Sequence, residues 1–341
     1  MKVMNISFKN NFFIYDFLII FYLFLGYLIG FIYGFNLFIW RNVFYSKYDF
    51  SAILVILLYL LIHISITAFY CLKRGDDLHL FGAVWRKKVG RDFFNLTSFF
   101  KIIKVLFLLK LTLIIYCNLK QQIPIIHSSL WDKELLRVDH FFHFGYNPSL
   151  IAIKYLGNDI ICWFFDIFYA LWYIIKFPII IYFLITPSKK VHIRFFITYF
   201  SMWIFGGLFA LLFPSLGPIY THPDWFSHLN KPIASFLQGE LMKNYELFVH
   251  SPGKYRIVSY EGIAAFPSLH VGIIAVFAIS LFKVNRLLSY LMFIYLIIIQ
   301  VGSVLLGWHY AIDGYFAIIL AVSLYYFSAF FVEKKKSDNK K

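Results

Sequence analysis

Residues 264–282 read AAFPSLHVGIIAVFAISLF, and residues 287–306 read LLSYLMFIYLIIIQVGSVLL. Both stretches are apolar over the roughly 20 residues that a helix needs to cross about 30 Å of hydrocarbon. Only helices and closed barrels can span lipid, and neither stretch shows the alternation that is typical of barrel strands. We therefore predict an all-α integral membrane protein.

The whole chain has this apolar character. Of its 341 residues, 61% are hydrophobic and 14% are charged, whereas soluble domains are about half apolar and a quarter charged. This composition excludes a soluble globule, a disordered chain and a collagen-like chain. We predict about eight transmembrane helices, with a break near Gly307-Trp308 between the last two; their ranges are 17–39, 50–72, 98–118, 160–186, 193–213, 264–282, 287–306 and 309–332.

The predicted spans divide the chain into three parts. Residues 1–97 hold the first two predicted spans and a basic loop, residues 98–333 hold the other six spans, and residues 334–341 form a basic tail. The net charge of +15 is spread between the apolar runs, which indicates membrane orientation and not nucleic-acid binding. Segments on the side of the N-terminus hold 18 lysines and arginines and the other loops hold 10. The positive-inside rule then places both termini in the cytoplasm.

The first candidate motif is Ala265-Phe266-Pro267-Ser268-Leu269-His270-Val271, at the start of the sixth run. Proline suits the first turn of a helix, where its missing N–H costs nothing. The N–H groups of Ser268, Leu269 and His270 would then be free to hold a phosphate. The Ser268 hydroxyl adds a donor, and His270 adds a group that can transfer a proton.

The second candidate motif is Gly307-Trp308-His309-Tyr310-Ala311-Ile312-Asp313-Gly314. His309 and Asp313 are four residues apart, so they share one helix face. A carboxylate at this spacing can accept the N–H of one imidazole nitrogen and leave the other nitrogen as a nucleophile or base.

The two motifs lie on the same side of the membrane. Between His270 and His309 there are 38 residues, enough for one helix across, a tight turn at 283–286 and one helix back. The cation distribution makes this the non-cytoplasmic side. Two histidines beside a helix N-terminus at this interface favour phosphoryl transfer from a lipid headgroup.

FPSLH followed by HYAID resembles the second and third motifs of the type-2 phosphatidic acid phosphatase superfamily. Within it, the pattern is most similar to inositol phosphorylceramide synthases and their bacterial relatives, which carry PSLH and HYxxD. Two further segments agree with that branch: Asp139 followed by Phe144-Gly145 and Pro148-Ser149, and the proline-rich residues 213–218. The resemblance covers about residues 125–330 and, more loosely, the six runs from residue 98 onward. It implies a catalytic six-helix membrane core at 98–333, with residues 1–97 as an N-terminal two-helix membrane extension and basic cytoplasmic loop.

The resemblance implies a role for each motif residue. His309 would attack phosphorus and form a phosphohistidine, and Asp313 would orient it. His270 would protonate the leaving alkoxide and then deprotonate the acceptor. The implied reaction moves a phosphoryl-headgroup from a phospholipid to a lipid or glycan hydroxyl. In the sphingolipid reaction of the resembled branch, phosphatidylinositol is the donor and ceramide is the acceptor.

The chain departs from the lipid phosphatases in its phosphate-holding cations. It has no Lys-x6-Arg-Pro motif, and Ser303 stands where their third motif has arginine. Charge neutralisation dominates phosphoryl-transfer catalysis, so other groups must replace these cations. By proximity in sequence, the predicted phosphate-binding residues are Ser268, Leu269, Lys254, Arg256 and Tyr220.

Two alternatives remain at this stage. The same residues could serve a phosphatase acting on a lipid phosphate or a polyprenyl diphosphate, with water as the acceptor. A non-enzymatic transporter could use ionisable residues in or near the apolar runs, although these residues more simply pair, snorkel or face the bundle interior; they are Asp16, His63, Lys110, Asp166 and Lys176.

We predict neither a cofactor nor a metal site. No acidic cluster offers Mg²⁺ its oxygen ligands, the resembled superfamily works without a metal, and only His140-x-x-His143 has a metal-like spacing. Cys71, Cys117 and Cys162 form no CxxC pattern, so no disulfide is predicted. The predicted partners are the bilayer and a phospholipid or lipid-phosphate substrate, and the predicted location is a bacterial inner membrane with the site on its periplasmic side.

Overall fold

A computed structural model describes residues 13–37, 96–127, 129–185, 188–250 and 262–333, with a few isolated residues between 61 and 69. These ranges contain twelve α-helices and a short 3₁₀ turn at Pro223–Phe226. The helices are α1 Ile14–Tyr33, α2 Leu96–Gln121, α3 Ile123–Ile126, α4 Asp132–Phe142, α5 Pro148–Leu156, α6 Asp159–Ile185, α7 Lys189–Leu212, α8 Pro218–Thr221, α9 Pro232–His250, α10 Leu269–Leu281, α11 Arg286–Leu305 and α12 Ala311–Glu333.

Six of these helices are long and apolar enough to cross a membrane, namely α1, α2, α6, α7, α11 and α12. The chain is therefore an integral membrane protein. Of the eight spans predicted from the sequence, the span at 50–72 lies almost wholly outside the described residues. The span at 264–282 is a shorter apolar helix, because α10 has only 13 residues.

The end of α11 and the start of α12 confirm the predicted break between the last two runs. Helix α11 ends at Leu305 and α12 begins at Ala311. Gly307 has a φ of +79°, a left-handed conformation that glycine adopts without strain. The histidine of the second motif lies in this connection.

Helices α7 and α10 form the centre of the bundle. Most residues of α7 are buried, whereas in each of the other five spanning helices fewer than half of the residues in the most apolar stretch are buried. All but two residues of α10 are buried, and α10 packs against α7, α11 and α12. Its 13 residues extend about 20 Å at 1.5 Å per residue, which is less than the bilayer thickness. The chain before α10 can therefore form the site within the protein, below the ends of the longer helices.

Helix α1 packs against α2 and α7. The Asp16 carboxylate pairs with Lys104 at 2.9 Å and also accepts the N–H of Phe13. Tyr15 lies fully buried beside His192 of α7, with 3.2 Å between the hydroxyl and the ring nitrogen. Asp16, the ionisable residue beside the first apolar run, thus helps to attach α1 to α2.

Helix α9 is tied to the bundle by two buried charges. The Asp166 carboxylate of α6 accepts the N–H groups of Ile233 and Ala234, both at 2.8 Å, and so caps the start of α9. Lys231 donates to the side chain of Gln238 at 2.6 Å and to the carbonyl of Leu306 at 3.3 Å. Asp166 therefore caps the start of α9.

We predict that Asp166→Ala lowers the stability of the bundle. The change leaves two N–H groups of α9 without their acceptor, which costs about 1–3 kcal/mol. Thermal unfolding of the purified protein in detergent should show a lower midpoint. Asp159→Ala removes an exposed carboxylate from the first turn of α6, the helix that also carries Asp166, and should leave the midpoint almost unchanged. Equal shifts of the midpoint in the two variants would contradict the capping role.

Candidate active site

Ser268 caps the start of α10, and the position of Pro267 differs from the one predicted from the sequence. Pro267 lies before the helix and not in its first turn, and the Ser268 side chain accepts the N–H of Val271 at 3.5 Å. The Ser268 N–H is also occupied, because it donates to the backbone carbonyl of Asp313 at 3.1 Å. Of the three N–H groups predicted to be free, those of Leu269 and His270 form no hydrogen bond among the described residues.

His309 lies just before α12 with one ring nitrogen fixed. Its Nδ1 is 2.7 Å from the carbonyl oxygen of Ala265 and 3.4 Å from Oδ2 of Asp313. Both neighbours are acceptors, so Nδ1 carries the proton and Nε2 keeps a lone pair. Burial lowers the pKa of His309 to about 3, which keeps the imidazole neutral at physiological pH. These are the properties of a nitrogen nucleophile.

Asp313 supports His309 less directly than its spacing predicts. The carboxylate is fully buried and accepts the N–H of Tyr310 at 3.0 Å. Its 3.4 Å separation from Nδ1 makes the Ala265 carbonyl the nearer partner of the imidazole. A backbone carbonyl leaves no signature in a sequence, so this contact could not be predicted.

Two hydrogen bonds join the segments that carry the two motifs, one from His309 to the Ala265 carbonyl and one from the Ser268 N–H to the Asp313 carbonyl. As a result, the rings of His270 and His309 lie 6.2 Å apart between centroids. Reacting atoms approach within about 3–3.5 Å before bond formation. The two imidazoles can therefore contact one phosphoryl group from two sides.

The proline-rich residues 213–218 hold both motifs in place. Ser215 accepts the N–H groups of Ala265 and Phe266 through its carbonyl and its hydroxyl, at 2.9 and 3.0 Å. Gly217 has a φ of +105°, and a Cβ there would lie 2.5 Å from the carbonyl oxygen of Trp308. The loop thus contacts the residues before α10 and the residues beside His309.

Two buried carboxylates of α4 complete the support. Asp132 accepts the N–H groups of Leu216 and Gly217 and the hydroxyl of Tyr310. Seven residues later, Asp139 accepts the N–H groups of Ala311 and Ile312 at 2.9 and 2.8 Å. Asp139 therefore caps the start of α12. It is a positioning residue for His309, which the sequence could suggest only through the resemblance.

His270 and His309 open into one cavity of about 500 Å³. Its walls come from α2, α6, α7, α9 and the loops before α10 and α12, and they are mostly aromatic or aliphatic. Leu269 and Tyr220 of the predicted phosphate-binding set line it, while buried Ser268 does not. Lys254 and Arg256 lie outside the described residues. The cavity also contains Lys120 and Lys176.

Lys120 and Lys176 are the lysines that line this cavity among the described residues, and neither was among the cations predicted from the sequence. Burial lowers the pKa of both His309 and His270, and the positive charge of Lys120, in the last turn of α2, lowers both further. The positive charge of Lys176, on α6, also lowers the pKa of His270. Neither lysine belongs to a recognisable motif, and α2 is distant from both histidines in the chain. Only the folded arrangement reveals them.

The His270 ring is enclosed by aromatic side chains of α6. Its centroid lies 4.7 Å from the Tyr169 ring and 4.4 Å from the Trp172 ring. Among the described residues, Nε2 of His270, Nε1 of Trp308 and the Tyr169 hydroxyl are buried without a hydrogen-bond partner. Nε1 of Trp203, which also lines the cavity, is a fourth such atom. Because buried polar atoms in native proteins are nearly always paired, these four atoms favour a polar ligand in the cavity.

The histidine pair at 140 and 143 has other partners. Nδ1 of His143 lies 2.7 Å from the carbonyl oxygen of Asp139, and its Nε2 lies 3.1 Å from the Tyr315 hydroxyl. No group of three or more histidine, cysteine, aspartate or glutamate side chains within the described ranges could hold a metal ion.

A helical membrane bundle with two neighbouring histidines, one fixed as a neutral base, is the architecture of a membrane enzyme for phosphoryl transfer. A family model described as the PAP2 superfamily matches residues 133–327, more than half of the chain. The chain belongs to the PAP2 superfamily. Enzymes of this superfamily are phosphatases and phosphotransferases, and the chain is such a membrane enzyme. Comparisons with curated proteins and with solved structures gave no match.

We predict that Asp139→Asn weakens the start of α12. The asparagine side chain keeps one oxygen acceptor, but its NH₂ group replaces the other oxygen and faces a backbone N–H. One backbone N–H then loses its acceptor, at a cost of about 1–3 kcal/mol. Both the thermal midpoint and turnover should fall, since His309 is two residues from the capped N–H groups. Lys133→Ala changes an exposed residue of the same helix and should alter neither quantity; an Asp139→Asn variant with normal stability and turnover would rule out the capping role.

Proposed function

We propose that the chain is a phosphotransferase that moves a phosphoryl-headgroup from a phospholipid to a lipid or glycan hydroxyl, through a phosphohistidine on His309. The supporting observation is the 6.2 Å separation between the His270 and His309 rings on one cavity, with Nδ1 of His309 held by a carbonyl. One imidazole can therefore be the nucleophile while the other manages the proton.

In the first half-reaction, Nε2 of His309 attacks phosphorus and the P–O bond to the diacylglycerol breaks. His270 enters this step as the imidazolium beside the anionic phosphodiester, gives its Nε2 proton to the leaving alkoxide and becomes neutral, so diacylglycerol departs as the alcohol. The headgroup stays esterified to the phosphorus, which is now bonded to His309. The hydrogen bond to Ala265 and the nearby Asp313 carboxylate stabilise the positive charge that develops on the His309 ring.

In the second half-reaction, the acceptor hydroxyl attacks the same phosphorus. His270 takes the hydroxyl proton, the P–N bond breaks, and His309 returns to its neutral form. The product is the acceptor carrying the phosphoryl-headgroup. Both imidazoles end in their starting protonation states, so the cycle closes without a metal or a redox cofactor in its balance.

The phosphoryl oxygens require positive charge and N–H donors. Lys120 is the described cation whose charge acts on both histidines, and the free N–H groups of Leu269 and His270 lie at the start of α10. We assign the phosphoryl oxygens to these groups. Tyr220, on the cavity wall, and Lys254 and Arg256, which precede the cavity-lining Gly262, are the additional candidates.

Transfer to an alcohol is favoured over hydrolysis by the size and lining of the cavity. About 500 Å³ walled by tyrosine, tryptophan and leucine exceeds what a phosphate and a water molecule need. The resemblance to inositol phosphorylceramide synthases makes phosphatidylinositol and ceramide the first donor and acceptor to test. A phosphatase using the same residues is the second candidate, since with a lipid phosphate as donor and water as acceptor the same two half-reactions would release inorganic phosphate.

The cation distribution supports a non-cytoplasmic site. Under the positive-inside rule, the end of the bundle that holds His270 and His309 faces the periplasm or exterior, and both termini are cytoplasmic. For a bacterial inner membrane, the enzyme would act on the outer leaflet. A transporter has less support, because both histidines and two lysines line one cavity whose walls also carry four buried polar atoms without a described partner, on Tyr169, Trp203, His270 and Trp308.

We predict that His309→Ala abolishes turnover, by about 10⁴-fold or more, because the nucleophile is lost. His270→Ala should reduce turnover by about 10²–10⁴-fold, because the proton transfer is lost. The assay uses purified protein, phospholipid labelled with ³²P and an excess of ceramide. A labelled lipid product indicates the transferase, and a labelled water-soluble headgroup phosphate indicates hydrolysis of the phosphodiester. In a parallel assay with ³²P-labelled phosphatidic acid, free labelled phosphate indicates the phosphatase.

His228→Ala is the matched control, because it removes an exposed histidine that does not line the cavity. It should retain wild-type turnover, and all three variants should keep the wild-type thermal midpoint within a few degrees. A folded His309→Ala variant that turns over phospholipid would eliminate the proposed mechanism.

We predict the membrane orientation through two cysteine variants in a Cys71→Ser background, since Cys117 and Cys162 are buried. Asp224→Cys, at an exposed position on the same end of the bundle as His309, should react with a membrane-impermeant maleimide in intact cells. Lys283→Cys, in the turn between α10 and α11, should react only after lysis. The reverse pattern would place the site in the cytoplasm.

A further inference from the structure

Lys176 is a buried cation that the proposed mechanism does not use. It lies on α6 within a membrane-spanning segment and is 6% exposed. A charged side chain at such a position is costly and in general marks a functional site. Lys176 lines the same cavity as His270 and His309, so a ligand of the cavity can reach it.

The surroundings of Lys176 provide no counter-charge. Among the described residues its ammonium forms no ion pair and no hydrogen bond, and it lies over the rings of Trp172, Tyr173 and Phe177 at 4.6, 5.2 and 5.3 Å from their centroids. The cavity-lining carboxylate of Asp166 is already occupied by two N–H groups of α9. Within the described ranges this buried ammonium meets ring faces and the Cys117 thiol but no free carboxylate, which favours an anion as its partner.

Trp172 relates Lys176 to the reacting centre. The indole ring lies 4.4 Å from the His270 ring centroid and 4.6 Å from the Lys176 ammonium. Along α6, Lys176 comes one turn after Trp172, which places it about 6 Å farther from the end of the bundle that holds the site. A group bonded to the reacting phosphorus could therefore extend past Trp172 and end beside Lys176.

The cavity is deep enough for such a group. On α2 its lining runs from Lys120 to Leu113, seven residues and about 10 Å of helix. Lys120 is in the last turn of α2, at the end of the bundle that holds the histidines, whereas Lys176 lies one turn beyond Trp172 along α6. The two cations thus lie at different depths of one cavity, and the phosphoryl oxygens need only the part near Lys120.

We propose that the lower part of this cavity, around Lys176, Trp172 and Tyr173, is a headgroup subsite that takes a headgroup carrying its own negative charge and excludes a cationic one. The inference rests on the proposed phosphotransferase function and narrows its donor to lipids with an anionic headgroup, so phosphatidylinositol, whose inositol is uncharged, should rank with phosphatidylglycerol and not first. Aromatic rings alone would attract a quaternary ammonium. Here the Lys176 ammonium already lies over the rings of Trp172, Tyr173 and Phe177. A cationic headgroup in this poorly solvated part of the cavity would therefore be repelled by Lys176.

The test compares three donors with identical acyl chains: phosphatidylglycerol phosphate, phosphatidylglycerol and phosphatidylcholine. Their headgroups are anionic, uncharged and cationic, and transfer releases the same diacylglycerol from each. We expect wild-type kcat/KM to fall in that order, with about 100-fold between the first and the last. Lys176→Gln should reduce this ratio by about tenfold or more, and Lys176→Arg should preserve it. Lys154→Gln, at an exposed lysine over the Tyr155 ring, is the matched control and should leave the ratio unchanged.

Three outcomes would overturn the proposal. A wild-type preference for phosphatidylcholine contradicts it directly. A Lys176→Gln variant that loses activity equally on all three lipids makes Lys176 a ligand of the phosphoryl oxygens and not of the headgroup. If the wild type releases diacylglycerol from none of them, the proposed function fails first, a result distinct from an active enzyme with an unchanged ratio.

A second measurement needs only the wild-type protein and so remains decisive if the variants do not fold. Soluble headgroup compounds, glycerol 1,3-bisphosphate and phosphocholine, are compared as inhibitors of diacylglycerol release. The bisphosphate should inhibit at about tenfold lower concentration or less. Equal or stronger inhibition by phosphocholine would contradict an anion-selective subsite.

Discussion

The site depends on one contact, in which Nδ1 of His309 donates its hydrogen to the backbone carbonyl of Ala265 at 2.7 Å. The bond sets the tautomer of the imidazole and ties the residue before α12 to the segment that begins α10. The reciprocal bond from the Ser268 N–H to the Asp313 carbonyl closes the same junction. Because both bonds are buried, losing either would leave unpaired polar groups in the core, and the two histidines are held in one arrangement.

The bundle is built to keep that junction below its surface. Helix α10 is shorter than the bilayer is thick, so the loops that precede α10 and α12 fill the space above it. The proline-rich loop at 213–218 and the carboxylates of Asp132 and Asp139 satisfy the backbone groups of these loops. Irregular backbone at this depth is tolerated only where the protein itself supplies such partners.

The sequence predicted the membrane class, the helices around the site and the convergence of His270 and His309, because apolar run lengths and a helical hairpin determine these features. It did not predict Lys120 and Lys176 as cavity cations, since they lie on helices distant in the chain and in no motif. Nor could it show that the Ala265 carbonyl is nearer to His309 than Asp313 is. Side-chain spacing indicates which residues share a helix face, whereas contacts between loops depend on tertiary packing.

The most direct test of the central claim is to identify the residue that carries phosphorus during turnover. The purified enzyme is mixed with labelled phospholipid without an acceptor, quenched in alkali, which preserves phosphohistidine, and mapped by mass spectrometry. The account predicts the phosphoryl-headgroup on His309. Modification of His270, or complete turnover with no histidine modified, would contradict it.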